Sequence, residues 1–183
     1  MPIQIGQKLE SDFSDPLGLL SDCHRRIEHF LVVLTKACNE SKGGSLSPER
    51  RVALEKSLAY FRDAAPKHTA DEEESLFPRL HAKVFDQPDS LLTYLVSLEQ
   101  EHEIAARDHQ LVEQLCVRWL GEGSLAEQES VALTEALARL TELYALHIEM
   151  EDRELFPMAA RLLRQDELAA VGREMAGRRG IKT

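Results

Sequence analysis

Two stretches of this chain carry residue types that could do chemistry. One is His68-Thr69-Ala70-Asp71-Glu72, running on to Leu76-Phe77-Pro78, and the other is His147-Ile148-Glu149-Met150-Glu151, running on to Leu155-Phe156-Pro157. A shift of 79 positions superimposes His on His, Glu on Glu and Leu-Phe-Pro on Leu-Phe-Pro. Residues four apart on a helix lie one turn above each other on one face, so each stretch offers an imidazole and a carboxylate to one point in space. That is a metal-ligand arrangement used twice.

The elements that must position these groups can be read from the apolar spacing. After Ser14-Asp15-Pro16, a helix-start signal, a stripe of Leu20, His24, Ile27, Leu31, Leu34 and Cys38 steps by four and three, and the helix is expected from Leu17 to about Asn39. Ser41-Lys42-Gly43-Gly44 breaks it, and Ser47-Pro48-Glu49 starts a second helix with Leu54, Leu58, Phe61, Ala65, His68 and Glu72 on its stripe. Pro66 is expected to kink this helix and Pro78 to end or bend it. A third helix follows Gln87-Pro88-Asp89, carries Leu95, Leu98, His102, Ala105, His109, Val112, Cys116 and Trp119, and stops at Gly121-Glu122-Gly123-Ser124. The fourth carries Leu133, Leu137, Leu140, Tyr144, His147 and Glu151. A weaker pattern from Gln165 to Met175 predicts a short fifth helix, with Arg178-Arg179-Gly180 fraying after it.

Four long amphipathic helices joined by short loops predict an all-α, antiparallel up-down four-helix bundle. His24 and His102 differ by 78 positions, so the first helix pair maps onto the second and an approximate internal two-fold is expected, with the metal site close to its axis at one end of the bundle.

A length of 183 residues fits one domain, with the bundle over about residues 17–160 and an extension over 161–183. A formal charge of −10 argues against nucleic acid or an anionic membrane surface as partner. Apolar residues at 43% and charged residues at 30% are the proportions of a folded, water-soluble chain. Cys23, Cys38 and Cys116 form no Cys-x-x-Cys pair, and neither a signal peptide nor a membrane-length apolar run is visible. A cytoplasmic location is therefore expected.

His24, His68, Glu72, His102, His147 and Glu151 all fall on the apolar stripes. Burying four imidazoles and two carboxylates without partners would cost several kcal/mol per group. A pair of divalent cations supplies the partners. Two six-coordinate ions can take the four imidazoles, two bridging carboxylates and a shared oxo or hydroxo, which leaves one open position on each ion. Such a centre suits iron or manganese meeting dioxygen or nitric oxide, with zinc as an opportunistic occupant. A ferritin-like site would instead need Glu-x-x-His on two helices, and only Glu99-Gln100-Glu101-His102 offers it.

One His on the first helix, His-x-x-x-Glu on the second, one His on the third and His-x-x-x-Glu on the fourth resembles the hemerythrin-like (HHE cation-binding) family. The resemblance covers roughly residues 17–160. It implies a non-haem di-iron centre with His24 and His68 on one iron, His102 and His147 on the other, and Glu72 and Glu151 bridging. Within the family the set is most similar to the four-His, two-Glu di-iron subtype related to bacterial proteins that repair iron–sulfur centres and meet nitric oxide. Oxygen-carrying hemerythrins have a further His four residues after the third-helix ligand, where this chain has Ala106. The implied function is binding or sensing of dioxygen or nitric oxide, or iron handling. The alternative is a di-iron oxidoreductase acting on nitric oxide, peroxide or damaged iron–sulfur centres with an electron-donor protein.

The remaining polar residues are read more plainly. His109 lies about 10 Å of helical rise from His102, too far to share its ion, and is expected to support the site from behind or to sit in the core near Phe61 and Leu140. Glu28, four residues after His24, reads first as a salt-bridge partner and otherwise as an occasional ligand or a supporting base. Tyr144, one turn before His147, reads first as a core aromatic, and otherwise as a residue that could line a gas pocket or hydrogen-bond a bound ligand. His29 and His81 fall off the stripes. Asp71, Glu73, Glu74, Glu149, Asp152 and Glu154 read as a solvated acidic face. Cys23 carries no sign of reactivity.

Overall fold

The computed structural model of the protein describes residues 11–84 and 90–182. The expected start signal Gln87-Pro88-Asp89, the first ten residues and Thr183 lie outside the described residues. Helix α1 spans Pro16–Ser41, with the Asp15 side chain accepting from the Gly18 N–H at its start and Lys42 in the left-handed conformation (φ 45°) at its end. Helix α2 spans Pro48–Asp63 and is capped by Ser47.

Pro66 does more than kink the second helix. Ala64 stays in the right-handed region but is stretched to φ −107°, and a separate helix α3, Ala65–Asp71, starts with Pro66 in its first turn. Proline lacks the N–H an unbroken helix would need there, and its ring collides with the carbonyl four residues back. Pro78 does not end the helix either. The chain widens into a π-helical turn, Glu72–Leu76, and continues as α4, Phe77–His81. Helix α5 runs Ser90–Glu122 and α6 runs Glu127–Met150. A second π-turn, Glu151–Leu155, leads into α7, Phe156–Leu162, and α8 covers Gln165–Arg178.

Helix α1 packs against α2 and α6, and α5 packs against α6 and α2, which closes the four-helix bundle. The apolar stripes face inward as two separate clusters. One holds Leu31, Leu34, Leu54, Leu58, Trp119, Leu137 and their neighbours. Trp119 is fully buried, and its indole N–H donates to the Gly44 carbonyl at 2.8 Å, which ties down the α1–α2 loop. The other cluster holds Leu20, Leu91, Leu95, Val171, Met175 and the Leu-Phe pairs Leu76-Phe77 and Leu155-Phe156. Each fully buried Leu or Phe contributes about 1.5–3 kcal/mol.

The site expected at one end of the bundle lies between these clusters, because the helices continue past it and α8 covers that end. Gly172 makes the docking of α8 close: a Cβ there would stand 1.9 Å from the Phe13 carbonyl oxygen. The expected fraying of Arg178 and Arg179 does not occur. Both guanidinium groups turn back onto Asp71 at the end of α3, at 3.0 and 2.7 Å.

Candidate metal centre

Each pair of His and Glu is set by its own helix. His68 sits on α3 and Glu72 opens the first π-turn, with Nε2 and Oε1 3.1 Å apart. His147 sits on α6 and Glu151 opens the second π-turn, with Nε2 and Oε2 3.2 Å apart. Leu-Phe-Pro explains the wide turns. Pro78 and Pro157 cannot donate a backbone hydrogen bond, and the preceding Phe77 and Phe156 N–H groups reach five residues back to the carbonyls of Glu72 and Glu151. The Leu and Phe side chains are buried on the far side and fix the orientation of each turn.

Helices α1 and α5 add His24 and His102. His24 Nε2 lies 3.1 Å from Glu151 Oε2 and 3.8 Å from Glu72 Oε1. His102 Nε2 lies 3.3 Å from Glu72 Oε2 and 3.1 Å from His147 Nε2. The donor atoms thus form two groups, one of His24, His68, Glu72 and Glu151 and the other of Glu72, His102, His147 and Glu151, each with its atoms within 4.8 Å of one another. The two carboxylates belong to both groups.

Both oxygens of Glu72 and of Glu151, together with His24 Nε2, are buried without a hydrogen-bond partner. Glu72 and Glu151 are 0% exposed. Buried polar atoms are nearly always hydrogen-bonded, and these carboxylate oxygens instead face imidazole nitrogens that could join them on a cation. Two cations sharing the carboxylates would satisfy every one of these atoms, and the mixed imidazole–carboxylate donor set suits iron, manganese or zinc.

Three of the four imidazoles are held from behind by acids. His24 Nδ1–H donates to Asp152 at 3.0 Å, and the Ser21 hydroxyl donates to the same Asp152 oxygen at 2.7 Å. His102 Nδ1–H donates to Glu73 and His147 Nδ1–H to Glu101, each at 2.8 Å. A carboxylate on Nδ1 fixes the tautomer that leaves the Nε2 lone pair free for a metal. Glu73 and Asp152 therefore do not belong to a plain solvated face, and Glu101 is a partner the apolar pattern does not reveal. A signal exists in hindsight: an acid directly follows each inward Glu, and another directly precedes His102. His68 Nδ1 has no such partner.

The charges follow from these contacts. Burial opposes protonation of His147, but the charge of Glu151 and the hydrogen bond to Glu101 overcome it and hold its pKa up at about 10. His24 and His102 are also raised against burial, His24 by Asp152, Glu151 and Glu72, and His102 chiefly by Glu72. His68 is pushed down to about 4 by burial. Burial opposes ionisation of Glu72, yet the surrounding imidazoles hold it well below the usual carboxylate range.

Asp71 also departs from the solvated-face reading, being 0% exposed and paired with Arg178 and Arg179. Arg178 further donates to Glu74 and to the Ser75 hydroxyl, at 3.0 and 2.9 Å. Helix α8 thereby grips the π-turn that carries Glu72. Glu149 and Glu154 are exposed as expected. Glu28 is exposed on α1 and lies outside both groups of donor atoms. His109 packs on Phe61 and shares a 2.9 Å hydrogen bond with the Tyr144 hydroxyl, and the Tyr144 ring stands edge-on to His147. His29 is exposed, and His81 lies 3.5 Å from Glu99. Cys23 is buried, and burial pushes its thiol up, away from reactivity.

No described helix is long and apolar enough to cross a membrane. The chain is similar to an uncharacterized protein of Haemophilus influenzae, 29% identical over 170 residues that cover 93% of each chain. Residues 15–159 match the model of the hemerythrin HHE cation-binding domain, a span that takes in α1 through most of α7 and all six inward His and Glu side chains. The chain belongs to the hemerythrin HHE cation-binding domain family.

Proposed function

We propose that residues 1–183 form one hemerythrin-like domain that holds two iron ions and uses them to bind or sense dioxygen or nitric oxide. In this reading His24 and His68 hold one ion, His102 and His147 hold the other, and Glu72 and Glu151 bridge them. The observation that carries it is the pair of adjoining donor groups sharing two fully buried carboxylates, whose oxygens make no hydrogen bond and face the imidazole nitrogens. When bound, iron supplies open coordination positions and one-electron redox chemistry that side chains lack.

The chain's own contribution is orientation. Asp152, Glu73 and Glu101 keep the Nδ1 protons of His24, His102 and His147 away from the centre. The two apolar clusters flank the site, and the π-turns hold the carboxylates where both donor groups can share them. The cell supplies the ligand, and a turnover enzyme would in addition need an electron-donor protein.

Elemental analysis of protein reconstituted with ferrous iron under argon tests the binding step, with two ions per chain expected. Reversible binding of nitric oxide or dioxygen, without sustained consumption when an electron donor is added, supports the binding function. Sustained consumption of nitric oxide or peroxide moves the assignment to an oxidoreductase. Fewer than one ion per chain overturns both.

A further inference from the structure

A cavity of about 390 Å³ opens between the α2–α3 stretch and α5, and His102 is part of its lining. His102 is also the most exposed of the six inward residues, at 9%, against 1% for His24 and 4% for His68. The His24 ring is covered by Phe156, stacked at 5.4 Å. Ala105 and Ala106 follow His102 within one turn and line the same cavity, so the space beside the imidazole exists because neither residue extends past Cβ.

Apart from His102, the ionisable groups lining this cavity are paired with one another. Arg62 and Glu113 in its lining neutralise each other at 2.7 Å. His109 and Tyr144, also in the lining, form a hydrogen-bonded pair. Burial pushes His109 down to about 4, so its imidazole is neutral near pH 7. When the Tyr144 O–H donates to Nε2, His109 keeps its Nδ1–H. When Nε2–H donates instead, the phenol keeps its O–H. Only the second arrangement leaves a proton beside the centre, the phenol O–H one turn from His147, because His109 stands about 10 Å of rise from His102.

We infer that this cavity is the approach by which a small neutral ligand reaches the His102–His147 half of the centre, and that the Tyr144–His109 pair donates a hydrogen bond to it. The inference rests on the di-iron reading and adds a direction to it. The groove on the other side of Tyr144, between α1 and α6, is larger at about 490 Å³ but is lined by none of the six.

The test uses nitric oxide as probe and stopped-flow absorbance on the full, reduced, iron-reconstituted chain. Ala106→Trp is expected to slow nitric oxide association by about tenfold or more with iron content unchanged, whereas Val32→Trp in the opposite groove leaves the rate alone. Ala106→Leu serves the same purpose if the Trp variant does not fold. Tyr144→Phe is expected to speed dissociation roughly two- to tenfold, as loss of one hydrogen bond would. Wild-type rates in both Ala106 variants, or equal slowing by Val32→Trp, overturn this inference and leave the di-iron reading standing. A wild-type chain that holds two irons and binds no nitric oxide overturns the inference together with nitric oxide as ligand.

Discussion

Replacing Arg178 and Arg179 by Ala together tests whether the last helix is part of the site's architecture. Asp71 is 0% exposed, and its carboxylate faces Arg178 Nη1 at 3.0 Å and Arg179 Nη2 at 2.7 Å. The two guanidinium groups are themselves 19% and 22% exposed, so this pairing is only weakly screened by water. Removing both leaves a buried carboxylate without a counter-charge, at a cost of about 3–5 kcal/mol. For a chain of this length each kcal/mol shifts Tm by about 2–4 °C, which gives a fall of roughly 6–20 °C. Circular dichroism melting of the metal-free protein measures it. Adding Asp71→Asn to the double variant is expected to recover much of the loss, because no stranded charge remains. A fall below about 2 °C, or a triple variant no more stable than the double, would refute the claim that α8 grips the Glu72 turn through Asp71.

The shared carboxylates give a second test: Glu72→Ala and Glu151→Ala are each expected to weaken both metal positions, while Glu28→Ala leaves metal content unchanged, as read by elemental analysis. Metal uptake should release protons, because His24, His102 and His147 are raised by their acid partners and must lose a proton to ligate. Zinc titration in weakly buffered solution should show that release near pH 7, with apparent affinity rising with pH towards the His147 value of about 10. A raised imidazole stabilises the metal-free fold fully below its ordinary pKa of about 6.5. That contribution is lost as pH climbs towards about 10. The metal-free protein should therefore soften over that range while the zinc-bound form does not. Gly172→Ala should lower Tm through a cost of about 1–3 kcal/mol, since its methyl would meet the Phe13 carbonyl oxygen at 1.9 Å. An unchanged melting curve would mean α8 docks more loosely than described.

The sequence carried the bundle because its signal is local and periodic. Leu20, His24, Ile27, Leu31, Leu34 and Cys38 step by four and three, and all six are buried on α1 as that spacing requires. The convergence of six polar residues was legible for the same reason, since each interrupts an apolar stripe. The π-turns were not, because a widened turn leaves the hydropathy pattern almost unchanged and only the Leu-Phe-Pro repeat hints at it. Glu73, Asp152 and Glu101 were obscured differently. Hydropathy assigns an acid to the surface, and only the position of each Nδ1 atom shows where the carboxylate must go. Asp71 and Arg178 are 107 positions apart, and nothing local to either residue announces the pairing.

Glu72 and Glu151 are proposed to be shared by two ions. Anomalous diffraction at the iron edge, from crystals of the iron-reconstituted protein, tests it directly. The expected map has two peaks per chain, one beside His24 and His68 and one beside His102 and His147, with both carboxylates reaching both peaks. A single peak, or two peaks with either carboxylate turned away, would contradict it.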